Sequence, residues 1–414
     1  MRSLPITETL REEFSFIRGN YATLVASWIL MDFSMELPAT YYALYVLELG
    51  ATETILGMIG FSSFIALAAV QFPGGYLADK FGRRWLVSSM TFAVALCYIF
   101  FAIAPSWHLI LLGTVVMSLC HIYQPALMAM IADAVPAEKR GMGFSLIMLI
   151  ISASTTPGPF VAGILYTQFG LVEGMRIGYT IVTALFLIAA ILRLRLTETM
   201  EDSSKPGFKD ILAAFPTGLR ESFAVWNKVP RSMFYLFLSL VILNVGWAAS
   251  NLFIVVYAVQ ELGIDEAVWP LILTGLFAAM IVLAIPVGKA VDKFNRKVPL
   301  LISYAAFFVA IFLFITGDLL RVFVALILFG VANILINAAY GALEADLTPK
   351  QQRGKVMGFS NFSNDIAMAI GNIVGGALYE HVSPQFPFLI TIVFLIPSFF
   401  LTLSMVHEPE KRED

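Results

Sequence analysis

Charged side chains are scarce in this chain. Asp, Glu, Lys and Arg make up 13% of its 414 residues, 59% are apolar, and the mean hydropathy is +0.83. A soluble domain is typically ~45–50% apolar, so the shortage of charge excludes a water-soluble globular protein and places the chain in lipid. Cysteine is scarce as well: Cys97 and Cys120 are the only two, and both lie inside apolar runs. A free thiol there behaves as a small hydrophobe, which leaves no disulfide framework. The net charge of -3 gives no reason to invoke nucleic acid. The chain lacks a metal-ligand cluster, a nucleophile beside a base, and a phosphate-binding glycine loop, so neither an enzyme nor a bound metal or cofactor is expected. The first eighteen residues carry Glu8, Glu12 and Glu13 among their arginines. They do not read as a cleaved signal, and the apolar run after them is expected to stay as a transmembrane helix.

A bilayer core takes roughly 20 apolar residues per helix. Hydropathy and turn residues predict twelve such spans, at 18–48, 55–78, 84–104, 107–134, 141–168, 172–196, 231–261, 267–290, 297–317, 319–345, 353–381 and 384–406. The fold class is therefore all-α integral membrane, in two halves (1–196 and 231–414) joined by a polar connection over 197–230. Of 26 Lys and Arg, only Arg176 and Arg321 fall on the side assigned outside. The positive-inside rule then puts both termini in the cytoplasm. Within the connection, Phe208, Ile211, Leu212, Phe215, Leu219, Phe223 and Trp226 recur at helical spacing and Pro216 interrupts them. The pattern predicts two short amphipathic helices at the membrane interface, or a tether whose apolar residues rest on the bundle.

One stretch recurs. Gly75-Tyr76-Leu77-Ala78-Asp79-Lys80-Phe81-Gly82-Arg83-Arg84 returns, 213 residues later, as Gly288-Lys289-Ala290-Val291-Asp292-Lys293-Phe294-Asn295-Arg296-Lys297. Ala132-Asp133, Pro136 and Arg140-Gly141 match Ala345-Asp346, Pro349 and Arg353-Gly354 at the same offset, as do Gly158 to Tyr166 and Gly371 to Tyr379. Three separated blocks in one register indicate a duplicated six-helix unit. Parallel half-repeats are a transporter architecture with the substrate site between the halves.

The Gly-x-x-x-Asp-Lys-x-Gly-Arg-Arg loop between spans 2 and 3, with its weaker copy between spans 8 and 9, resembles the signature loop of the major facilitator superfamily. Gly75 and Gly82 suit tight turns and close helix approach. The resemblance implies a charge-assisted latch made by Asp79, Arg83 and Asp133, with Arg84 in the same loop and Asp292, Arg296 and Asp346 as counterparts. Basic residues that serve topology alone are the competing reading. In span 5, Pro157-Gly158-Pro159 and Gly163 resemble the Gly-Pro motif of the family's antiporters, where small residues let spans 5 and 8 pack closely. Two departures weigh against antiport: Ser152, Ser154 and Thr156 replace the glycines usual upstream, and Leu109 to Met130 in span 4 has no Lys or Arg.

Ionisable residues inside a membrane are costly and mark function by default. Asp32 and Glu36 are four residues apart on one face of span 1, near mid-span and before Pro38. The pair is placed to hold a proton in one state and a cation in the next; interhelical hydrogen bonding is the structural alternative. His121 in span 4 is a third candidate for the proton. Asn244, Trp247 and Asn251 line one face of span 7, and Asn333, Asn337, Tyr340 and Glu344 one face of span 10. Asn361, Asn364, Asp365 and Asn372 add a polar face on span 11. In the family, spans 1, 4, 7 and 10 line the central cavity.

No Lys or Arg is expected deep in any span, so the cavity has no fixed cation for a phosphate or carboxylate substrate. Acidic groups with aromatic rings favour a cationic or neutral amphipathic substrate. The reading is a secondary transporter of the cytoplasmic membrane, expected as a monomer in the bilayer, that exports hydrophobic cationic or neutral small molecules against protons. A proton symporter or facilitator importing a neutral nutrient is the first alternative, and a non-transporting receptor or scaffold the second.

Overall fold

The computed structural model describes residues 17–80, 82–136, 140–200, 208–293, 296–349 and 351–408, with the side chains of 140–145, 148, 208–212, 222, 284–285 and 288–293 left aside. The regular secondary structure of the described residues is all helical, without a strand.

Span 1 runs over Gly19–Ala39, breaks one residue after its internal Pro38, and resumes over Tyr42–Glu48. A proline removes a backbone donor and crowds the preceding turn, so the break falls where the sequence puts it. Span 2 is Glu53–Lys80 and span 3 is Arg83–Ala102. Span 4 comes in two pieces, Trp107–Cys120 and Gln124–Ala134, joined by a 3-10 turn over His121–Tyr123. Span 5 starts as Arg140–Thr155 and continues in the helix Pro157–Arg193, which Gly170 (φ 75°, ψ -179°) divides into the end of span 5 and all of span 6. Without that turn the helix would be about 55 Å long, far more than a hydrocarbon core of about 30 Å.

Span 7 is Arg231–Asn251, extended through Ile254–Val256 into a π turn at Tyr257–Glu261. Spans 8 to 12 are Trp269–Lys293, Lys297–Ile315, Leu319–Leu347, Arg353–His381 and Phe386–Met405. Among the described residues, eight helices are long and apolar enough to cross a bilayer, and one of the eight is the joined span 5 and 6 helix. Spans 1, 8 and 11 are not among them. Span 1 carries Asp32 and Glu36, and span 11 carries Arg353, Lys355 and Asp365. In span 8 only Trp269–Leu283 registers as a shorter apolar helix among the described residues.

The connection between the halves differs from the expectation of two helices. Its described residues form one helix, Phe208–Val225, with Pro216 inside it. Tertiary contacts outweigh the proline. The Phe215 ring packs on Phe72 of span 2 and Phe362 of span 11, and Phe223 packs on Phe359. The helix thus bridges the two bundles at the end that carries the basic loops, and Lys355 of span 11 donates to Glu221 on it at 2.8 Å.

At the opposite end the bundles meet directly. Tyr41 donates to the Glu266 carbonyl at 2.6 Å, and the Thr54 backbone N–H donates to Glu380 at 2.9 Å. There spans 2 and 11 cross at Gly57 and Gly376. A Cβ on Gly57 would lie 2.4 Å from the Asn372 carbonyl oxygen, so glycine is what allows the backbones to touch.

Candidate functional site

The described ends of the two basic loops are anchored alike. Gly82 takes φ 94°, a left-handed turn suited to glycine, and delivers the chain into span 3. Arg83 pairs with Asp133 of span 4, and Arg296 with Asp346 of span 10. The first N–H groups of a helix have no partner within it, and a carboxylate supplies one in each half. Glu198 accepts from the backbone N–H of Arg83 at 3.1 Å and of Arg84 at 3.0 Å, and Glu408 accepts from that of Lys297 at 2.8 Å. The Arg84 guanidinium donates to the Leu194 carbonyl at 3.1 Å, and the Lys297 ammonium to the carbonyls of Leu403 and Val406. Each basic loop is thereby tied to the last turn of its own bundle. Asp79 is exposed and has no ion pair to another described residue; the Asp292 side chain lies outside the described residues. Gly75 faces a cavity of about 560 Å³ at this end, between spans 2, 4 and 11 and beneath the connecting helix.

Deeper in the N-terminal bundle, the structure corrects one expectation: a cation does lie inside a span. Arg193 is 0% exposed, the only fully buried charged side chain among the described residues. Its Nε donates to the Ser27 hydroxyl at 3.0 Å and its Nη1 to that of Thr91 at 2.8 Å, while Cζ sits 5.9 Å from the Tyr123 ring centroid. Nη2 is buried without a partner, as is Oδ2 of Asp32, which interacts electrostatically with Arg193. A signal for this was present in the sequence. Arg193 continues the helical face of Phe186, Ala189 and Ala190, all buried, so its phase points inward.

Glu36 packs on span 5. A Cβ on Gly158 would lie 2.6 Å from the Glu36 Cβ, so Gly158, flanked by Pro157 and Pro159, makes room for this carboxylate-bearing helix. Gly163, a turn further on, lies against Pro270 of span 8.

Two chambers of about 420 and 350 Å³ occupy the interface between the bundles and share Ala39, Tyr42, Asn251 and Leu252. Trp247, Trp269, Phe329 and Asn333 line the first; Tyr98, Phe101, Tyr179 and Asn372 line the second. Neither is lined by Asp32, Glu36, Lys or Arg. A third chamber, about 220 Å³, brings His121 and Gln124 of span 4 together with Asn361 and Asp365 of span 11. His121 Nδ1 lies 2.8 Å from the Met117 carbonyl, which can only accept, so Nδ1 carries a hydrogen and Nε2 is left for proton exchange.

The remaining polar residues divide. Asn244 donates to Asn364 at 3.0 Å and so joins spans 7 and 11. Asn337 is exposed. Tyr340, Glu344 and Ser360 each hold a buried oxygen inside the C-terminal bundle.

The chain matches the Major Facilitator Superfamily over residues 24–265 and 236–414. It is 24% identical to an uncharacterised MFS-type transporter of Methanocaldococcus jannaschii, covering 83% of this chain and 86% of that one. It is equally similar to the multi-drug resistance efflux pump PmrA of Streptococcus pneumoniae, 24% identical over 85% of this chain and 86% of the pump. Among solved structures it resembles the nucleoside transporter NupG, with a TM-score of 0.73 and 16% identity over 95% of this chain and all of that one. A bacterial homolog of the human lysosomal transporter Spinster, inward-facing and unoccupied, gives a TM-score of 0.72 at 16% identity, covering 94% of this chain and 97% of that one. Half-repeat, paired basic loops, interface chambers and family match agree: the chain belongs to the major facilitator superfamily and is a membrane transporter, not an enzyme.

Proposed function

We propose that the protein exports hydrophobic cationic or neutral small molecules across the cytoplasmic membrane in exchange for protons, by alternating access, with the basic loops and both termini on the cytoplasmic side. The halves 1–196 and 231–414 rock against each other while the 197–230 connection spans them. The observation that carries the reading is the pair of interface chambers walled by Tyr42, Tyr98, Trp247 and Trp269 with no basic side chain in the lining. Aromatic faces attract organic cations and accept neutral rings, whereas an anion meets no basic side chain there. Arg193 does not alter this, because Ser27 and Thr91 hold its guanidinium inside the N-terminal bundle. Asp32 and Glu36 carry the coupling proton, and His121 and Asp365 form a second station where spans 4 and 11 meet. Asn251 and Asn333 contact substrate, while Arg83–Asp133 and Arg296–Asp346 hold the loop ends during the cycle. The similarity to multidrug efflux pumps supports export.

A second reading, proton-linked import of a neutral polar nutrient, draws on the amides of Asn251, Asn333 and Asn372 in the chamber walls and on the likeness to a nucleoside transporter. Proteoliposomes with an imposed pH gradient separate the two. Export predicts that ethidium accumulates on the acidic side and that ethidium flux moves protons the opposite way. Uridine accumulating on the alkaline side, with ethidium indifferent to the gradient, would establish import instead.

A further inference from the structure

The two bundles hold the connecting helix unequally. From the C-terminal bundle, Phe359 meets the Phe223 ring edge-on at 4.8 Å between centroids, and Lys355 donates to Glu221. Trp226, just past the helix end, packs on Phe359 at 5.7 Å and Phe237 at 4.7 Å. Toward the N-terminal bundle the helix presents Phe215 and Gly218 to one ring, Phe72 of span 2. A Cβ on Gly218 would lie 2.8 Å from that ring, so glycine is what lets the helix lie this close. Phe72 is also 5.5 Å from Phe362 of span 11, and Phe215 touches both, at 5.7 and 5.9 Å. Three rings, from span 2, span 11 and the connecting helix, thus join across the seam between the bundles at the end that carries the basic loops. Aromatic pairs interact to about 7 Å between centroids, so a parting of about 2 Å ends the Phe72–Phe362 contact, and Phe215 can follow only one partner. The helix also walls the cavity of about 560 Å³, which shares Gln71, Gln124 and Asn361 with the chamber of His121 and Asp365.

We propose that the connecting helix is the gate at the basic-loop end, with Phe215 as its closing residue. Docked on Phe72, the helix clamps spans 2 and 11 together. When the bundles part, it stays with span 11, leaves Phe72 and opens the cavity toward His121 and Asp365. The anchoring sets the direction of release: Phe359, Phe237 and Lys355 hold the helix and its end from the C-terminal side, against the Phe72 ring on the other. The gate rests on the rocking of the two halves proposed above, and it holds for export and import alike.

The test puts spin labels on Lys80→Cys and Gln351→Cys, both exposed and at the basic-loop ends of spans 2 and 11. The full-length chain, with Cys97→Ser and Cys120→Ser, is studied in lipid nanodiscs, and double electron–electron resonance reads the label separation. The labelled parent should give a short and a long distance, with the short one in excess. Phe215→Ala, which removes two ring contacts, should raise the long-to-short ratio on the order of tenfold. Gly218→Leu, which drives the helix off Phe72, should raise it as well, and Phe215→Tyr, which keeps the ring, should leave it unchanged. All three changes lie on the connecting helix, outside the two six-helix bundles. Two distances whose ratio none of the variants moves would overturn the gate and leave the rocking standing. A shift as large with tyrosine as with alanine would overturn the role of the ring contacts. One distance throughout, parent included, in acidic and alkaline buffer alike would overturn the rocking and the gate together.

Discussion

Glu198 accepts the backbone N–H of Arg83 at 3.1 Å, so the end of span 6 supplies the cap at the start of span 3. Glu408 does the same for Lys297 in the second half. A carboxylate at a helix N-terminus is favourable through both the hydrogen bonds and the helix dipole, and loss of a capping side chain costs about 0.5–2 kcal/mol. Glu198→Ala and Glu408→Ala should each lower the thermal unfolding temperature of the purified protein. Glu198→Gln, which keeps one acceptor oxygen, should lower it less. Melting curves that superimpose on wild type for both alanine variants would show that the caps contribute nothing.

Arg193 sets a stricter test. Removing it takes one charge-assisted hydrogen bond from each of the Ser27 and Thr91 hydroxyls, worth about 1.5–3 kcal/mol apiece, although both still donate to the carbonyls of Leu24 and Val87. It also takes the cation away from Asp32. Arg193→Met should therefore destabilise strongly and disable transport, while Arg193→Lys should recover part of the stability. The lysine keeps the charge but lacks the planar fork that reaches both hydroxyls. Equal stability of the Met and Lys variants would rule out a role for the charge.

The Glu221–Lys355 contact predicts how the connecting helix docks. The Lys355 hydrogen bond holds the Glu221 carboxyl below its ordinary value of 4.5. Its folded-state value is depressed, so the contribution is present above pH 4.5 and is lost as pH falls through the lowered value. The pair is exposed, and salt weakens it. Lys355→Glu should speed trypsin cleavage after Arg220, more so at low ionic strength where like charges repel, and the swap Glu221→Lys/Lys355→Glu should reverse it. Cleavage rates unaffected by the single change would detach the ion pair from docking.

For coupling, Asp32→Asn with Glu36→Gln removes the two groups proposed to carry the proton. Uphill transport driven by a pH gradient should vanish, and downhill movement of a neutral substrate should survive. Accumulation at the wild-type level would move the coupling site to His121 and Asp365.

Much of the architecture was legible in the sequence, because lipid imposes long apolar helices and a duplication repeats its turn residues in register. The resemblance to the family implies Arg83 beside Asp133, and the 213-residue offset carries that pair to Arg296 and Asp346. What escaped depends on contacts between distant parts of one bundle. Glu198 lies in a stretch that reads as plain polar linker, and its role exists only because span 6 ends beside the start of span 3. Arg193 stands near a span end, where a cation normally marks topology; helical phase alone betrays its inward direction. Pro216 signals a break that Phe72, Phe359 and Phe362 override by packing on either side of it. Asp79, assigned to the latch, stays at the surface without Arg83, which turns to Asp133 instead.

The glycine contact between Gly57 and Gly376 fixes where leverage is applied. With Gly57 close to one end of span 2 and Lys80 at the other, the arm between them is about 35 Å long at 1.5 Å per residue. Rotation about such a fulcrum sweeps the far tip by about 0.6 Å per degree, so a tilt of about 10° parts the basic loops by the width of a small aromatic ring while the fulcrum barely moves. A larger residue at Gly376 would wedge the fulcrum and shorten the swing.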